Sequence, residues 1–178
     1  IQIDGITDGA AVTALKAKEL INNDEELIIA NSDQWINWNP QHFLSFLQNN
    51  DADGGVITFI STHPKWSFVK LNEAGLITEV AEKKPISNIA TVGIYYYKHG
   101  KTFVEAAEQM ITKNIRTNNE FYIAPTFNEI IQNGGKIFHY PIAEMYGLGT
   151  PEDLQHFLKI SDRKYIPTIK ESEETATL

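Results

Sequence analysis

Four consecutive apolar residues, Leu27-Ile28-Ile29-Ala30, end abruptly at Asn31-Ser32-Asp33. A run this short and unbroken has the profile of a strand covered on both faces, with polar groups gathered at its carboxyl end. In open α/β sheets that end is where ligands bind. The flanking sequence supplies helices to cover the strand. From Thr7 to Asn22, Ala10, Ala14, Ala17 and Ile21 recur at helical spacing behind the turn Thr7-Asp8-Gly9, and so many alanines imply close packing on a sheet. Pro40 opens a second helix carrying Phe43, Leu44, Phe46 and Leu47.

After a polar turn from Asn49 to Gly55 comes a strongly β-prone block: Val56 to Ile60, Ser67 to Leu71, Leu76 to Val80 behind the turn Asn72-Glu73-Ala74-Gly75, and Thr91 to Tyr97. Two helical patterns follow. Thr102 to Asn114 puts Phe103, Ala107, Met110 and Ile111 on one face, and Ile123, Phe127, Ile130 and Ile131 repeat the spacing before the stop Asn133-Gly134-Gly135. Lys136 to Tyr140 is a further strand. Thr150-Pro151-Glu152-Asp153 then supplies an N-cap threonine, a proline at the first helical position and acids in the first turn, for a helix expected to bury Leu154, Phe157 and Leu158. This order predicts an α/β layered domain with a mixed sheet. At 178 residues the chain is one domain, expected over 1–165 with a frayed tail over 166–178.

Composition removes whole classes of function. With no cysteine there are no disulfides, thiolate metal sites or cysteine nucleophile, which fits a reducing, cytoplasmic setting. A formal charge of -8 argues against a nucleic-acid partner, which needs a basic face, and no apolar run reaches the roughly 18 residues of a membrane span. His42, His63, His99, His139 and His156 lack metal-ligand spacing, and neither a Gly-x-Ser-x-Gly elbow nor a phosphate-binding Gly-x-x-x-x-Gly-Lys loop occurs. Asn49-x-Asp51-x-Asp53-Gly54 imitates half a calcium loop, but Ile60 stands where the bidentate glutamate belongs. The same Asp51-Ala52-Asp53 precedes a strand instead of ending one, unlike the metal-holding Asp-x-Asp of nucleotide-sugar glycosyltransferases.

Asp33 is placed differently, because an acid at the carboxyl end of a buried strand can hold Mg2+ with its phosphates in the crevice beyond the sheet. Glu82-Lys83-Lys84-Pro85 puts two cations and a carboxylate at a strand end, suited to clamping a phosphate and a hydroxyl, and equally to a solvated edge. Trp35, Trp38 and Trp66 are candidates for stacking on a base or sugar, although aromatic residues beside strands more often pack. The Tyr95-Tyr96-Tyr97 segment leaves two readings open, an interface in a homo-oligomer or a strand covered within the monomer.

Together these segments resemble a family. Thr7-Asp8-Gly9-Ala10-Ala11, Ile29-Ala30-Asn31-Ser32-Asp33, Glu82-Lys83-Lys84-Pro85 with Ala90-Thr91-Val92-Gly93-Ile94-Tyr95, and Gly149-Thr150-Pro151-Glu152-Asp153-Leu154 occur in the order seen in sugar-phosphate nucleotidyltransferases, from about Thr7 to Leu158. The resemblance implies a three-layer, nucleotide-diphospho-sugar transferase-like (Rossmann-like) α/β domain. It implies a reaction in which a sugar 1-phosphate attacks the α-phosphorus of a nucleoside triphosphate, giving a nucleotide sugar for surface polysaccharide and releasing pyrophosphate. By matched position, Gly9 lets the backbone approach the nucleobase and Asp33 binds Mg2+. Lys84 holds the sugar phosphate, Glu82 or its neighbour a sugar hydroxyl, and Gly93 admits the sugar against the backbone.

Three departures accompany the resemblance. The family's glycine-rich loop, with the Arg and Lys that grip the triphosphate, belongs to an amino-terminal strand expected upstream of Ile1, and without it this chain alone is expected to be inactive. Gly147 occupies the place of a second metal-binding Asp, with Glu144 a weak substitute nearby. Lys83 stands where many relatives carry the sugar-binding glutamate of Glu-Glu-Lys-Pro. Two alternatives therefore stay open: a metal-dependent glycosyltransferase of related fold, and a non-catalytic nucleotide-sugar-binding domain.

Overall fold

The computed structural model describes residues 1–160, so the expected tail at 166–178 lies outside the described residues. In chain order the elements are α1 (Ala10–Leu15), α2 (Lys18–Ile21), β1 (Leu27–Ala30), β2 (Gln34–Ile36), α3 (Pro40–Asn49), β3 (Gly54–Ile60), β4 (Ser67–Leu71), β5 (Ile77–Glu82), β6 (Ile89–Tyr97), α4 (Gly100–Thr112), α5 (Thr126–Gln132), β7 (Ile137–Pro141), β8 (Met145–Gly147) and α6 (Pro151–Ile160).

The nine-residue β6 is the spine. Along one side it pairs antiparallel with β3. Along the other it meets β1 antiparallel, Leu27 opposite Tyr97, and β4 antiparallel at Ala90. β5 follows β4 as a hairpin, and β7 adds to β3 in parallel. The sheet is therefore mixed, as its sequence order predicts. Side chains of β6 alternate between two cores. Tyr95 and Tyr97 face the layer of α1, α4 and α5, where Tyr97 stacks on Phe127 at 4.7 Å between ring centroids. Val92, Ile94 and Tyr96 face α3, against Phe43 and Leu47. Helices thus cover both faces of one sheet, giving three layers. All three tyrosines are buried, so the strand is covered within the chain.

Several elements depart from their sequence reading. The helix expected over Thr7 to Asn22 is broken into α1 and α2 after Leu15; α2 turns toward α4, where Lys18 pairs with Glu108 at 2.6 Å. β1 is not covered on both faces: among the described residues it bonds to β6 alone, and Ile28 is 42% exposed. The last helix does not bury its three apolar residues. α6 rests on a two-stranded ribbon of β2 and β8, where Phe157 meets Trp35 and Tyr146, while Leu154 and Leu158 stay exposed. The ribbon itself has no signal in the sequence, because each of its strands has only three residues. Among the described residues, no helix is long and apolar enough to cross a membrane.

Gly9 fixes where α1 docks. Its φ is +120°, and a Cβ there would stand 2.5 Å from the Phe121 carbonyl oxygen, while Phe121 N donates to Asp8 O and Ala11 N donates to Phe121 O. The close approach that requires glycine is thus to the chain's own backbone. Gly9→Ala is expected to lower the unfolding free energy by about 3 kcal/mol, measured by urea denaturation; an unchanged midpoint would show that this contact is dispensable.

Candidate functional site

β1 and β4 share one side of β6 and part at Gly93. The register between β3 and β6 slips between Val56 and Thr58, so β6 bulges there, and Gly93 takes a φ of +81°. A cleft of about 330 Å³ opens at this gap, at the carboxyl end of β1. Gly93 forms its floor. A Cβ at that position would lie 2.4 Å from Asn31 Nδ2 and 3.0 Å from Gln34 Oε1, so two carboxamides occupy the space the missing side chain leaves. The Gln34 side-chain nitrogen is buried with no hydrogen-bond partner among the described residues.

Asp33 lies between β1 and β2 and reaches the cleft beside the start of α6. The ribbon holds it there: Gln34 pairs with Gly147, and Leu148 N donates to Asp33 O at 2.7 Å. A Cβ at Gly149 would stand 2.6 Å from Asp33 Oδ2, so glycine at this position admits the carboxylate. One residue on, Thr150 Oγ1 accepts from Asp153 N at 3.1 Å and caps α6, as its sequence predicts. Asp153 pairs with Lys65 at 3.0 Å across the mouth, which holds its carboxyl below the usual range, and Lys65 Nζ lies 4.6 Å above the Trp66 ring.

The opposite wall comes from the β4–β5 hairpin. Ser67 faces Glu82 in register, and Ser67 Oγ donates to Glu82 Oε2. Burial raises the Glu82 carboxyl above the ordinary range, while the Ser67 bond and the Lys83 charge pull it back. Beneath, the Tyr95 hydroxyl, pushed up to about 12 by burial, is hydrogen-bonded with Thr91 Oγ1 at 3.2 Å. Lys83 has a φ of +54°, and its Nζ donates to Tyr122 Oη at 2.5 Å.

Of the residues singled out in the sequence, Asp33, Glu82 and Gly93 line this one cleft. Gly9 precedes the lining residue Ala10, and Lys84 is exposed and outside the lining. Lys83, Gln34, Lys65, Tyr122 and Asp153 complete the walls. Lys83 and Asp153 lie inside quoted motifs, but their side-chain directions depend on a left-handed backbone and a helix cap. Tyr122 is brought in by tertiary packing alone. The calcium-like segment is explained otherwise: Lys98 pairs with Asp51 at 2.6 Å, and Asp53 Oδ2 accepts from Lys136 N at 2.8 Å, which ties the turn to β7. Of the tryptophans, only Trp66 lines the cleft; Trp35 and Trp38 pack on Tyr146 and Phe43.

Carboxylates, carboxamides and lysines converge here on one open space, a set suited to a hydroxyl-rich anion accompanied by a hard cation. Residues 2–155 match the nucleotidyl transferase family, and the chain belongs to it. Among curated proteins, none matches. The fold is similar to that of a nucleoside-diphosphate-sugar pyrophosphorylase from Vibrio cholerae RC9, at 26% identity and a TM-score of 0.74, over 88% of this chain and 67% of that one. It is also similar to a UDP-glucose pyrophosphorylase complexed with UDP-glucose, at 18% identity and a TM-score of 0.69, over 87% and 64%. The chain thus spans about two thirds of the length of these structures.

Glu82 gives the site a measurable pH signature. Ser67→Ala is expected to move its titration further upward, read by carboxyl-carbon NMR; a downward or absent movement would dismiss the Ser67 bond as a support of the carboxylate. Because the folded value exceeds the unfolded one, the folded state holds this proton more tightly. Burying Glu82 therefore costs stability above the folded value and ceases to do so as pH falls through both, a dependence Glu82→Gln should flatten.

Proposed function

We propose that this chain acts in nucleotidyl transfer from a nucleoside triphosphate to a sugar 1-phosphate, supplying a nucleotide sugar for surface polysaccharide in the cytoplasm. A phosphate oxygen of the sugar 1-phosphate bonds to the α-phosphorus as the bond to the β-phosphate bridge breaks, and pyrophosphate leaves with the electron pair. The observation that carries this reading is the meeting of Asp33, Glu82 and Gly93 in one cleft, at the gap where β1 and β4 part. Membership of the family supports it.

In this reading Gly93 lets the sugar ring lie on backbone, and Glu82, with Oε2 engaged by Ser67, offers its other oxygen to a hydroxyl. Lys84, exposed and outside the lining, is read as reaching the sugar phosphate. Gly9 and Ala10 form the rim beneath the nucleobase. The donors near Asp33 are hard oxygens, and among the described residues no group of three His, Cys, Asp or Glu gathers to hold a metal. That set fits Mg2+, which binds one or two carboxylates and fills its shell with water and phosphate oxygens. Asp33 would hold it, and when bound it would offset charge on the phosphates. Gly147 keeps a second reading in play, a domain that binds a nucleotide sugar without turning it over.

The test is pyrophosphate release by the full gene product over a panel of nucleoside triphosphates and sugar 1-phosphates with Mg2+. Release with one pair is expected; retained nucleotide-sugar binding with silence across the panel would favour the binding domain, and release of nucleoside diphosphate a glycosyltransferase. Asp33→Asn should reduce turnover at least a hundredfold with the fold intact, and unchanged turnover would refute its role. Lys84→Ala should raise KM for the sugar phosphate far more than for the triphosphate; equal effects would remove it from that subsite.

A further inference from the structure

The segment that ends β8 meets a carboxylate at each of two glycines. At Gly149 a Cβ would stand 2.6 Å from Asp33 Oδ2, and at Gly147 it would stand 3.7 Å from Asp153 Oδ2. Both aspartates line the same cleft, Asp33 from the connection between β1 and β2 and Asp153 from the first turn of α6. Leu148, between the two glycines, donates its N–H to Asp33 O and ties the segment to the ribbon.

Gly147 is the place that the resemblance gives to a second metal-binding aspartate, and the fold fills that place from elsewhere. A Cβ at Gly147 would also lie 3.3 Å from Trp66 Cη2, so a side chain on residue 147 would crowd the indole and meet a carboxylate already there. Glu144, nearer in sequence, is exposed and outside the cleft lining. Glu82 stands on the opposite wall, committed to Ser67. Asp153 is the carboxylate that α6 brings beside Asp33. Its two oxygens have separate surroundings: Oδ1 accepts from Lys65 Nζ at 3.0 Å, and Oδ2 faces Gly147. A carboxylate offers about four lone-pair sites, so a lysine on one oxygen leaves the other able to take a cation.

We propose that Asp153 is a second carboxylate ligand of the divalent cation held by Asp33, supplied by α6 in place of residue 147. This rests on the reading of Asp33 as the Mg2+ ligand of a nucleotidyl-transfer site. Mg2+ takes one or two carboxylates and completes its shell with water and phosphate oxygens, so two aspartates make a sufficient protein share.

The test is Mn2+ binding to the full gene product, with Mn2+ standing in for Mg2+ and the free ion counted by electron paramagnetic resonance. Asp153→Asn keeps the backbone N–H that Thr150 caps, and it should weaken Mn2+ binding about tenfold. Lys65→Met breaks the same ion pair but leaves the carboxylate, and it should tighten binding about twofold by removing a competing positive charge. An aspartate that only braces the mouth through Lys65 would make both variants weaken binding, or neither, and either result would overturn the proposal. Asp33→Asn separates this inference from the reading beneath it. Loss of Mn2+ binding in Asp33→Asn with none in Asp153→Asn overturns the role of Asp153 alone, and an effect in neither variant overturns the metal reading of Asp33 as well. A measurement on the unsubstituted protein decides the matter if Asp153→Asn does not fold. Substoichiometric Mn2+ should broaden the carboxyl-carbon NMR signals of Asp33 and Asp153 most, and broadening at Asp33 without Asp153 would sink the proposal.

Discussion

At the middle of β6 the backbone turns left-handed at Gly93, and the arrangement of the sheet follows from that one conformation. A side chain there would collide with Asn31 and Gln34, and the bulge it sits in interrupts pairing with β3. Beside the interruption, β1 ends and β4 begins, so the sheet presents a gap where a continuous ladder would have presented none. Both hydrophobic cores hold this strand from opposite faces through Tyr95, Tyr97 and Tyr96, which keeps a locally irregular backbone from relaxing.

Around that gap an acidic protein gives each charge a different environment, which is what the proposed binding of anionic substrates requires. Asp33 faces solvent against a glycine, Asp153 is matched to Lys65, and Glu82 is half-buried beneath a serine hydroxyl. Net charge describes none of this. Local geometry sets which carboxylates repel a phosphate and which are already answered, and the answered ones leave Lys83 and Lys84 as the available cations.

The sequence made the layers legible because period and punctuation are local. The capped start of α6 at Thr150, the amphipathic α4 and the strand ending at Ala30 needed only near neighbours. Asp33 as a ligand-site candidate likewise follows from its place after a strand, whereas Gly93 and the sugar-hydroxyl role of Glu82 follow from the family resemblance. What escaped was set at long range. The ribbon exists because Gln34 meets Gly147, two segments with no individual strand signal. Tyr122 enters the wall because Phe121 bonds to Asp8 far upstream. The direction of Lys83 depends on a φ that lysine seldom adopts, and no periodicity announces it. The single helix expected over Thr7 to Asn22 failed because alanine spacing reports one face but not the turn toward α4.

The meeting of Asp33 with Gly149 also orders events in time. Asp33 leaves the ribosome early and its glycine late, and at about 5–20 residues per second the wait is on the order of ten seconds. For roughly the first half of that interval β1 has no ladder, since its partners Ile94 to Tyr97 are also still unmade. The nascent domain therefore carries an unpaired apolar strand until β6 is made, and an unseated carboxylate until Gly149 follows. Long-range pairing of this kind is slow to form and exposed meanwhile, which makes this stretch of translation the period when a chaperone has something to hold.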